Sequence, residues 1–209
     1  MSRPDWYFRL DRADLVDQLP TPPGRVLDVG CAAGGVGRRL LGRGATSVVG
    51  IEIDPEMAAL AREAYADVRV GDAAVELRAL EGPFDTVVLY DVLEHLVDPW
   101  SALRRCAELA APGARLHVSV PNVRHASVLY DLVLRGTFGY TDWGHRDITH
   151  LRWFTPGDLK RAVREAGWEI VGTTHTPLSR PRRLLGRLTG GRSDEFLAYQ
   201  WQVLARRAC

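Results

Sequence analysis

Four carboxylates of this chain stand at the ends of apolar runs. Asp28 lies in Val26-Leu27-Asp28-Val29, directly before the turn Gly30-Cys31-Ala32-Ala33-Gly34. Glu52 closes Ser47-Val48-Val49-Gly50-Ile51, Asp72 follows the run at 67–70, and Asp91 follows Phe84–Tyr90. In a doubly wound sheet, ligands sit at the carboxyl ends of the strands, so these acids would share one rim. Glycines bring backbone close to a ligand, and an acid after the next strand can hold two ribose hydroxyls, which together point to a nucleoside. The spacing selects which one. A dinucleotide site wants G-x-G-x-x-G with a pyrophosphate on the helix N-terminus. Here Ala32 stands where the middle glycine would be, and no basic residue lies inside the turn to meet a phosphate. Asp28 would repel a pyrophosphate but suits a cation, and the ammonium and sulfonium of S-adenosylmethionine (SAM) fit that field.

The residue types then assign roles. Gly30, Ala32 and Gly34 form the close-approach turn. Asp28 orients it and meets the SAM ammonium, directly or through water. Glu52 accepts from both ribose hydroxyls. Ile53 packs on the adenine face. Asp72 accepts from the adenine amine while the Ala73 N–H donates to a ring nitrogen. Asp91 and Val92 flank the methionine part. Asp54, before Pro55, reads as a helix cap.

A second cluster runs from Tyr140 to Phe154 and holds two histidines, two acids, two arginines and four aromatics. Methyl transfer from a sulfonium is an in-line displacement in which the enzyme mainly supplies proximity. An alcohol or ammonium acceptor must also lose a proton, and histidine is the natural base. His145 and His150 are the first candidates, and His95, just after the fourth strand, is a third. His150 reads equally as a structural histidine bonded to backbone. Tyr7, Asn122, Tyr140, Asp142, Trp143, Arg146 and Arg152 are the candidate acceptor contacts, with Trp153 as a further wall of the pocket. The spacing Asp142, His145, Asp147, His150 could ligate a metal, but it has no cysteine or helical H-x-x-x-H support, and no metal is expected.

The elements that must position these residues alternate. Strands are expected at 25–29, 47–52, 67–70, 84–91, 114–120, 168–175 and 196–206. Helices are expected near 35–42, 55–65, 73–80, 99–110, 124–135 and 156–166. The alternation implies an α/β fold, a Rossmann-like doubly wound seven-stranded sheet, mostly parallel with a reversed last strand. Residues 1–23 form a helical lead-in, with a short helix over Asp11–Leu19 ending at Pro20. Its Trp6, Tyr7 and Phe8 read as a hydrophobic plug or as a lid. Residues 24–209 form the SAM-binding domain, with an acceptor-loop insertion at about 122–155. The arginine-rich stretch 177–194 reads as a solvated connector, or as a contact for an anionic substrate group or an acidic carrier protein.

The length, 209 residues, fits one large domain. A net charge of +1 gives no global field for nucleic acid. Cys31, Cys106 and Cys209 are too few and too scattered for a disulfide framework. The sequence carries neither a signal-peptide run nor a membrane span, so the expected location is the cytoplasm. The expected partner is a small-molecule acceptor, and a homodimer is left open.

Val26 to Gly34 resembles the first motif of class I SAM-dependent methyltransferases, a hydrophobic strand followed by D-x-G-C-G-x-G. Gly50–Asp54, Gly71–Ala73 and Phe84–Leu96 look like the next conserved segments of that family, and the resemblance spans about residues 24 to 175. Ala32 departs from the pattern, so its turn must avoid a strongly positive φ or accept strain. His150-Leu151-Arg152-Trp153-Phe154-Thr155 resembles the H-L-R-x-F-T element of a small bacterial subgroup often linked to sugar, polysaccharide or natural-product pathways. Tyr7–Arg12 and Leu197–Trp201 look similar to the same subgroup. The resemblance implies a SAM-dependent methyltransferase acting on O or N of a small metabolite, a sugar or secondary-metabolite intermediate favoured. Two alternatives keep the same donor motifs: a same-fold enzyme that uses SAM for intramolecular alkyl transfer, and a non-catalytic SAM-binding subunit.

Overall fold

A computed structural model gives the structure and describes residues 10–208. The aromatic cluster Trp6, Tyr7 and Phe8 lies outside the described residues. In chain order the elements are α1 (Ala13–Val16), β1 (Gly24–Val29), α2 (Gly35–Gly42), β2 (Ala45–Glu52), α3 (Pro55–Ala61) and β3 (Asp67–Val70). Then come α4 (Ala73–Ala79), β4 (Phe84–Tyr90), a 3-10 turn (Leu93–His95), α5 (Pro99–Leu109), β5 (Ala110–Pro121) and α6 (Ala126–Leu134). The chain closes with α7 (Pro156–Glu165), β6 (Trp168–His175), α8 (Arg180–Leu188), α9 (Asp194–Leu197) and β7 (Gln200–Arg207).

The seven strands form one sheet in the order β3-β2-β1-β4-β5-β7-β6. β1 pairs parallel with both β2 and β4, so the chain reverses its direction of travel across the sheet beside β1. That switch point is where a crevice must open. β7 runs antiparallel between β5 and β6.

Alternation along each strand sorts side chains into two layers. Leu27, Val29, Val49, Ile51, Val87 and Leu89 join one core, with α4, α5 and α7. Val26, Val48, Val68 and Val88 join the other, with α1, α2 and α3. Asp28 is two residues on from Val26, so the same pleat turns it toward the α1–α3 layer. Fully burying a Leu or Val stabilises by about 1.5–3 kcal/mol, and both faces of the central strands do so. Helix starts are fixed by side chains the sequence supplies. Asp54, Asp72, Asp98 and Thr155 each accept from a backbone N–H of the helix that follows.

Boundaries move from the sequence reading by up to four residues in places, as where the helix expected near 55–65 ends at Ala61 and the strand expected at 114–120 starts at Ala110, and three differences bear on the course of the chain. The helix expected over Asp11–Leu19 is a single turn, Ala13–Val16. The connector at 177–194 contains a helix, α8, and α9 takes the first residues of the expected strand at 196–206. Pro181 lies at the helix start, where proline is tolerated, and Gly190–Gly191 lie past its end. The proline and glycines that suggested a loop are therefore the helix's own punctuation. β6 and β7 pair antiparallel as expected, but with these two helices between them.

Asn122, at the end of β5, is fully buried. Its Nδ2 donates to the carbonyls of Glu195 and Ala198, each at 2.9 Å, and its Oδ1 accepts from Arg124 N at 3.1 Å. It ties the start of the 122–155 insertion to α9. Asn122→Ala should cost about 1–3 kcal/mol, because two buried carbonyls lose their donor. Urea unfolding of the two proteins should show this as a lowered midpoint.

Candidate active site

The carboxyl ends of β1 to β4 open on one cleft of about 590 Å³, a volume suited to a small molecule. Every donor-binding residue expected from the sequence lines it except Gly34, which lies one turn back at the start of α2. Arg12, Tyr90, His95, Leu96 and Thr149 complete much of the wall.

Asp28 is buried, and the Tyr65 hydroxyl donates to its Oδ2 at 2.5 Å. The same hydroxyl accepts from Gly37 N at 2.9 Å. Tyr65 reaches Asp28 because glycines leave a passage. Gly50 is the register neighbour of Asp28 on β2. A Cβ there would lie 2.9 Å from the Tyr65 ring, and one on Gly34 would lie 3.0 Å from it. A Cβ on Gly37 would collide with the ring outright. Burial pushes the Asp28 carboxyl up to about 7; the Tyr65 bond lowers it and Glu52 raises it. The thiol of Cys31 is pushed up by burial and by the same two acids, so it stays protonated.

Glu52 has both oxygens engaged by backbone: Oε2 accepts from Ala32 N at 2.8 Å and Oε1 from Asp54 N at 2.9 Å. These bonds fix the carboxylate at the end of β2 and leave its remaining lone pairs toward the cleft. The bond from Ala32 requires φ +46° at that residue, so the turn accepts the strain that its missing glycine implied. Arg12 and Asp91 also have positive φ, at 45° and 57°. Among the described residues these are the only non-glycine residues with positive φ, and all three line the cleft. Strain held at a site marks backbone placed for a ligand.

Arg12 was not among the sequence candidates, although it ends the Tyr7–Arg12 element. Its Nη1 meets Asp91 Oδ2 at 2.6 Å and its Nη2 donates to Gln200 Oε1 at 3.0 Å. Asp91 also accepts from Ser119 Oγ at 3.1 Å and Gln200 Nε2 at 2.7 Å. Burial opposes the Arg12 charge, but Asp91 and Asp14 outweigh it and raise its pKa. A guanidinium held there can meet the carboxylate of an amino-acid ligand. Asp72 caps α4 through Ala74 N at 2.7 Å while bordering the cleft. Ile53 is 70% exposed and lines the cleft, an apolar face for a flat ring.

On the acceptor side the histidines separate. His95 lines the cleft, and His150 packs edge-on against it with centroids 4.8 Å apart. His145 is held elsewhere. Its Nε2 donates to the Tyr199 carbonyl at 2.9 Å, its ring stacks on His125 at 4.6 Å, and burial lowers its pKa to about 4. Arg146 pairs with Asp131 at 2.5 Å, and Arg152 donates to the Val97 carbonyl at 2.5 Å. Tyr140, Asp142 and Trp143 are exposed and stand off the cleft; Tyr140 packs on Phe138. Tyr7 lies outside the described residues. The loop thus delivers Thr149 to the cleft wall and buries His150 against His95. Tyr65 carried no sequence signal, and Thr149 only that of its place beside His150.

Sequence comparison places the chain in one family, and solved structures share its fold. The methyltransferase-domain family matches residues 7–173. A ubiquinone biosynthesis O-methyltransferase of Xanthomonas euvesicatoria pv. vesicatoria is 32% identical over 190 residues, covering 84% of this chain and 74% of the relative. A SAM-dependent methyltransferase from Archaeoglobus fulgidus superposes with a TM-score of 0.66 at 18% identity, covering 88% of this chain and 86% of its own. Magnesium protoporphyrin IX methyltransferase from Synechocystis, solved with bound SAM, gives a TM-score of 0.58 at 20% identity, covering 90% and 72%.

With Asp28 as the partner of the SAM ammonium, only the ionised carboxylate binds. SAM affinity should therefore rise with pH through about 7 and level off above it. Tyr65→Phe removes a donor that favours the ionised form. The midpoint should move up, and affinity at neutral pH should fall by about tenfold. Calorimetry of both proteins from about pH 5.5 to 8.5 tests this. An identical pH profile in the variant would remove Asp28 from that role.

Proposed function

The chain belongs to the methyltransferase-domain family and SAM is its cofactor, and from that premise we propose that it transfers the SAM methyl group to a hydroxyl oxygen of a small metabolite. The observation that carries this reading is the placement of His95 in the same cleft as Asp28, Glu52 and Asp91, with His150 packed against it. The acids would receive a cationic donor, and the His95 imidazole, backed by His150, would take the acceptor proton.

The reaction balances simply. The acceptor O–H gives its proton to an imidazole, the oxygen forms a bond to the methyl carbon, and the carbon–sulfur bond breaks. The sulfonium becomes the thioether of S-adenosylhomocysteine. His95 Nδ1 lies 3.3 Å from the Thr149 carbonyl and 3.2 Å from the Thr149 hydroxyl, whose own hydrogen goes to Asp147 Oδ1 at 2.6 Å, so both oxygens accept, Nδ1 carries the hydrogen and Nε2 is the basic nitrogen. Most of the rate enhancement then comes from holding oxygen, methyl carbon and sulfur in line.

Oxygen is preferred over nitrogen as the acceptor because the curated relatives are named O-methyltransferases. Two acceptor classes follow for parallel assay. Intermediates of ubiquinone biosynthesis come from the relatives' names, and sugar or secondary-metabolite intermediates come from the resemblance of His150–Thr155.

His95→Asn should leave SAM affinity within about threefold and lower turnover by about 10²-fold or more. Single-turnover methyl transfer with a panel of both acceptor classes reads the second, and calorimetry the first. Full turnover in the variant would sink the base assignment, and a SAM-derived product formed without any acceptor would sink methyl transfer itself.

A further inference from the structure

We propose that α8 is the docking surface for an acidic protein, which lays an amphipathic helix along it. The stretch 177–193 holds five arginines and no acid, in a chain whose net charge is +1. Arg180, Arg183 and Arg187 are exposed, and none of them bonds an acid among the described residues. Arg39, Arg105 and Arg206 show the contrast, since each holds a carboxylate. The positive charge of α8 is left for something outside the chain to answer.

Apolar residues of the helix are left open as well. Gly186 is buried, and a Cβ on it would collide with Asp194 of α9. That contact fixes the inward side of α8. Leu184 and Leu188, two residues to either side of Gly186, fall on the opposite side of a 3.6-residue turn. They are 59% and 77% exposed. Arg180, Arg183 and Arg187 have the i, i+3, i+7 spacing of a neighbouring stripe. The outer surface of α8 is thus a row of arginines beside a row of leucines.

A matching partner needs an acidic row beside an apolar row, which is the surface of an acidic amphipathic helix. The two leucines give it anchors one turn apart, and guanidinium groups pair with carboxylates by two parallel hydrogen bonds. Complementary charge of this kind steers encounter and fixes register. Two other polyanions fit less well. A nucleic-acid duplex presents phosphates but no apolar row for Leu184 and Leu188. A helix lying in a membrane surface sinks a broad apolar face below its charges. α8 is nine residues long, and Arg180 and Arg187 adjoin Leu184 at i−4 and i+3, so the leucines cannot sink without them.

The place of α8 in the fold ties it to the cleft. His175 ends β6 and Gln200 starts β7, and Gln200 reaches Asp91 at the ligand end of the sheet. The segment between them, with α8 and α9, spans that same end on the β5 side. Arg124, at the start of the 122–155 insertion, pairs with Glu195 of α9. A protein seated on α8 therefore stands at the ligand end, next to the element that anchors the insertion. The contact does not depend on which acceptor is methylated.

The test reads binding rather than turnover. The probe is a fluorescein-labelled, hydrocarbon-stapled helical peptide with leucines at i, i+4 and glutamates at i, i+3, i+7 on the adjoining stripe. The full chain should raise its anisotropy, and added salt should weaken the complex. Leu184→Ser with Leu188→Ser, and separately Arg183→Gln with Arg187→Gln, should each weaken it by at least about tenfold. Calorimetry with SAM confirms that both variants still fold. No peptide binding, binding unchanged in either folded variant, or equal binding of a control peptide with serine for leucine overturns the proposal. A chain that ignores the peptide but sediments with phosphatidylglycerol–phosphatidylcholine vesicles overturns it too, and assigns α8 to a lipid surface.

Discussion

The bond from the Tyr65 hydroxyl to Asp28, 2.5 Å long and buried, governs the cofactor end of the molecule. It exists only because several local choices agree. The pleat of β1 turns Asp28 toward the α1–α3 layer. Gly50 stands beside it in register, and Gly34 and Gly37 clear the path of the ring. The tyrosine then closes the passage and holds the start of α2 through Gly37 N. Glycine at these positions is thus a matter of space as much as of backbone freedom. A methyl group at residue 37 would have to displace an aromatic ring, and in a close-packed interior such shifts cost stability.

The cleft is built to receive positive charge without collapsing around its own negative charges. Asp28, Glu52, Asp54, Asp72 and Asp91 all border it, and of these Arg12 pairs with Asp91 alone, its other acidic partner being Asp14. Backbone N–H groups satisfy Glu52, and a phenol satisfies Asp28, so each acid has a donor but little countercharge. In the proposed reading, a sulfonium and an ammonium would supply what the protein leaves out. The strained backbone at Ala32 and Asp91 belongs to the same design, since it aims the Ala32 N–H at Glu52 and places the Asp91 side chain beside Arg12.

The sheet was largely legible in the sequence because parallel strands buried on both faces read as apolar runs, and their terminal acids mark the ligand rim. That is why the sequence alone brings Asp28, Glu52, Asp72 and Asp91 together on the rim where the cleft lies. Tyr65 could not. Its role depends on the register of β2 against β1 and on the turn after α3, neither of which leaves a trace in Glu63-Ala64-Tyr65-Ala66. The histidines show the same limit. His145 and His150 lie five residues apart in one polar loop, and nothing in their neighbours says which will turn to the Tyr199 carbonyl and which will pack on the cleft residue His95. The loop decides this through long-range contacts, Tyr199 for the first and the Glu94 turn for the second. α8 is hidden for the opposite reason: Pro181 and Gly190–Gly191 have the composition of a loop, and only their places at the two ends of a helix make them its punctuation.

The reversal of β7 reaches further than sheet order. A strand running with the others would bring its last residue to the ligand rim; β7 brings its first, Gln200, which binds both Asp91 and Arg12. Residues 12 and 200 are 188 positions apart, and they meet over one carboxylate. On the ribosome, where early segments fold as they emerge, β1 to β4 could assemble long before synthesis ends. The rim around Asp91 could not close until the last strand had left the exit tunnel. A nascent or C-terminally clipped chain would therefore carry most of the sheet but an unfinished ligand site, so possession of the fold and competence to bind would arrive at different times.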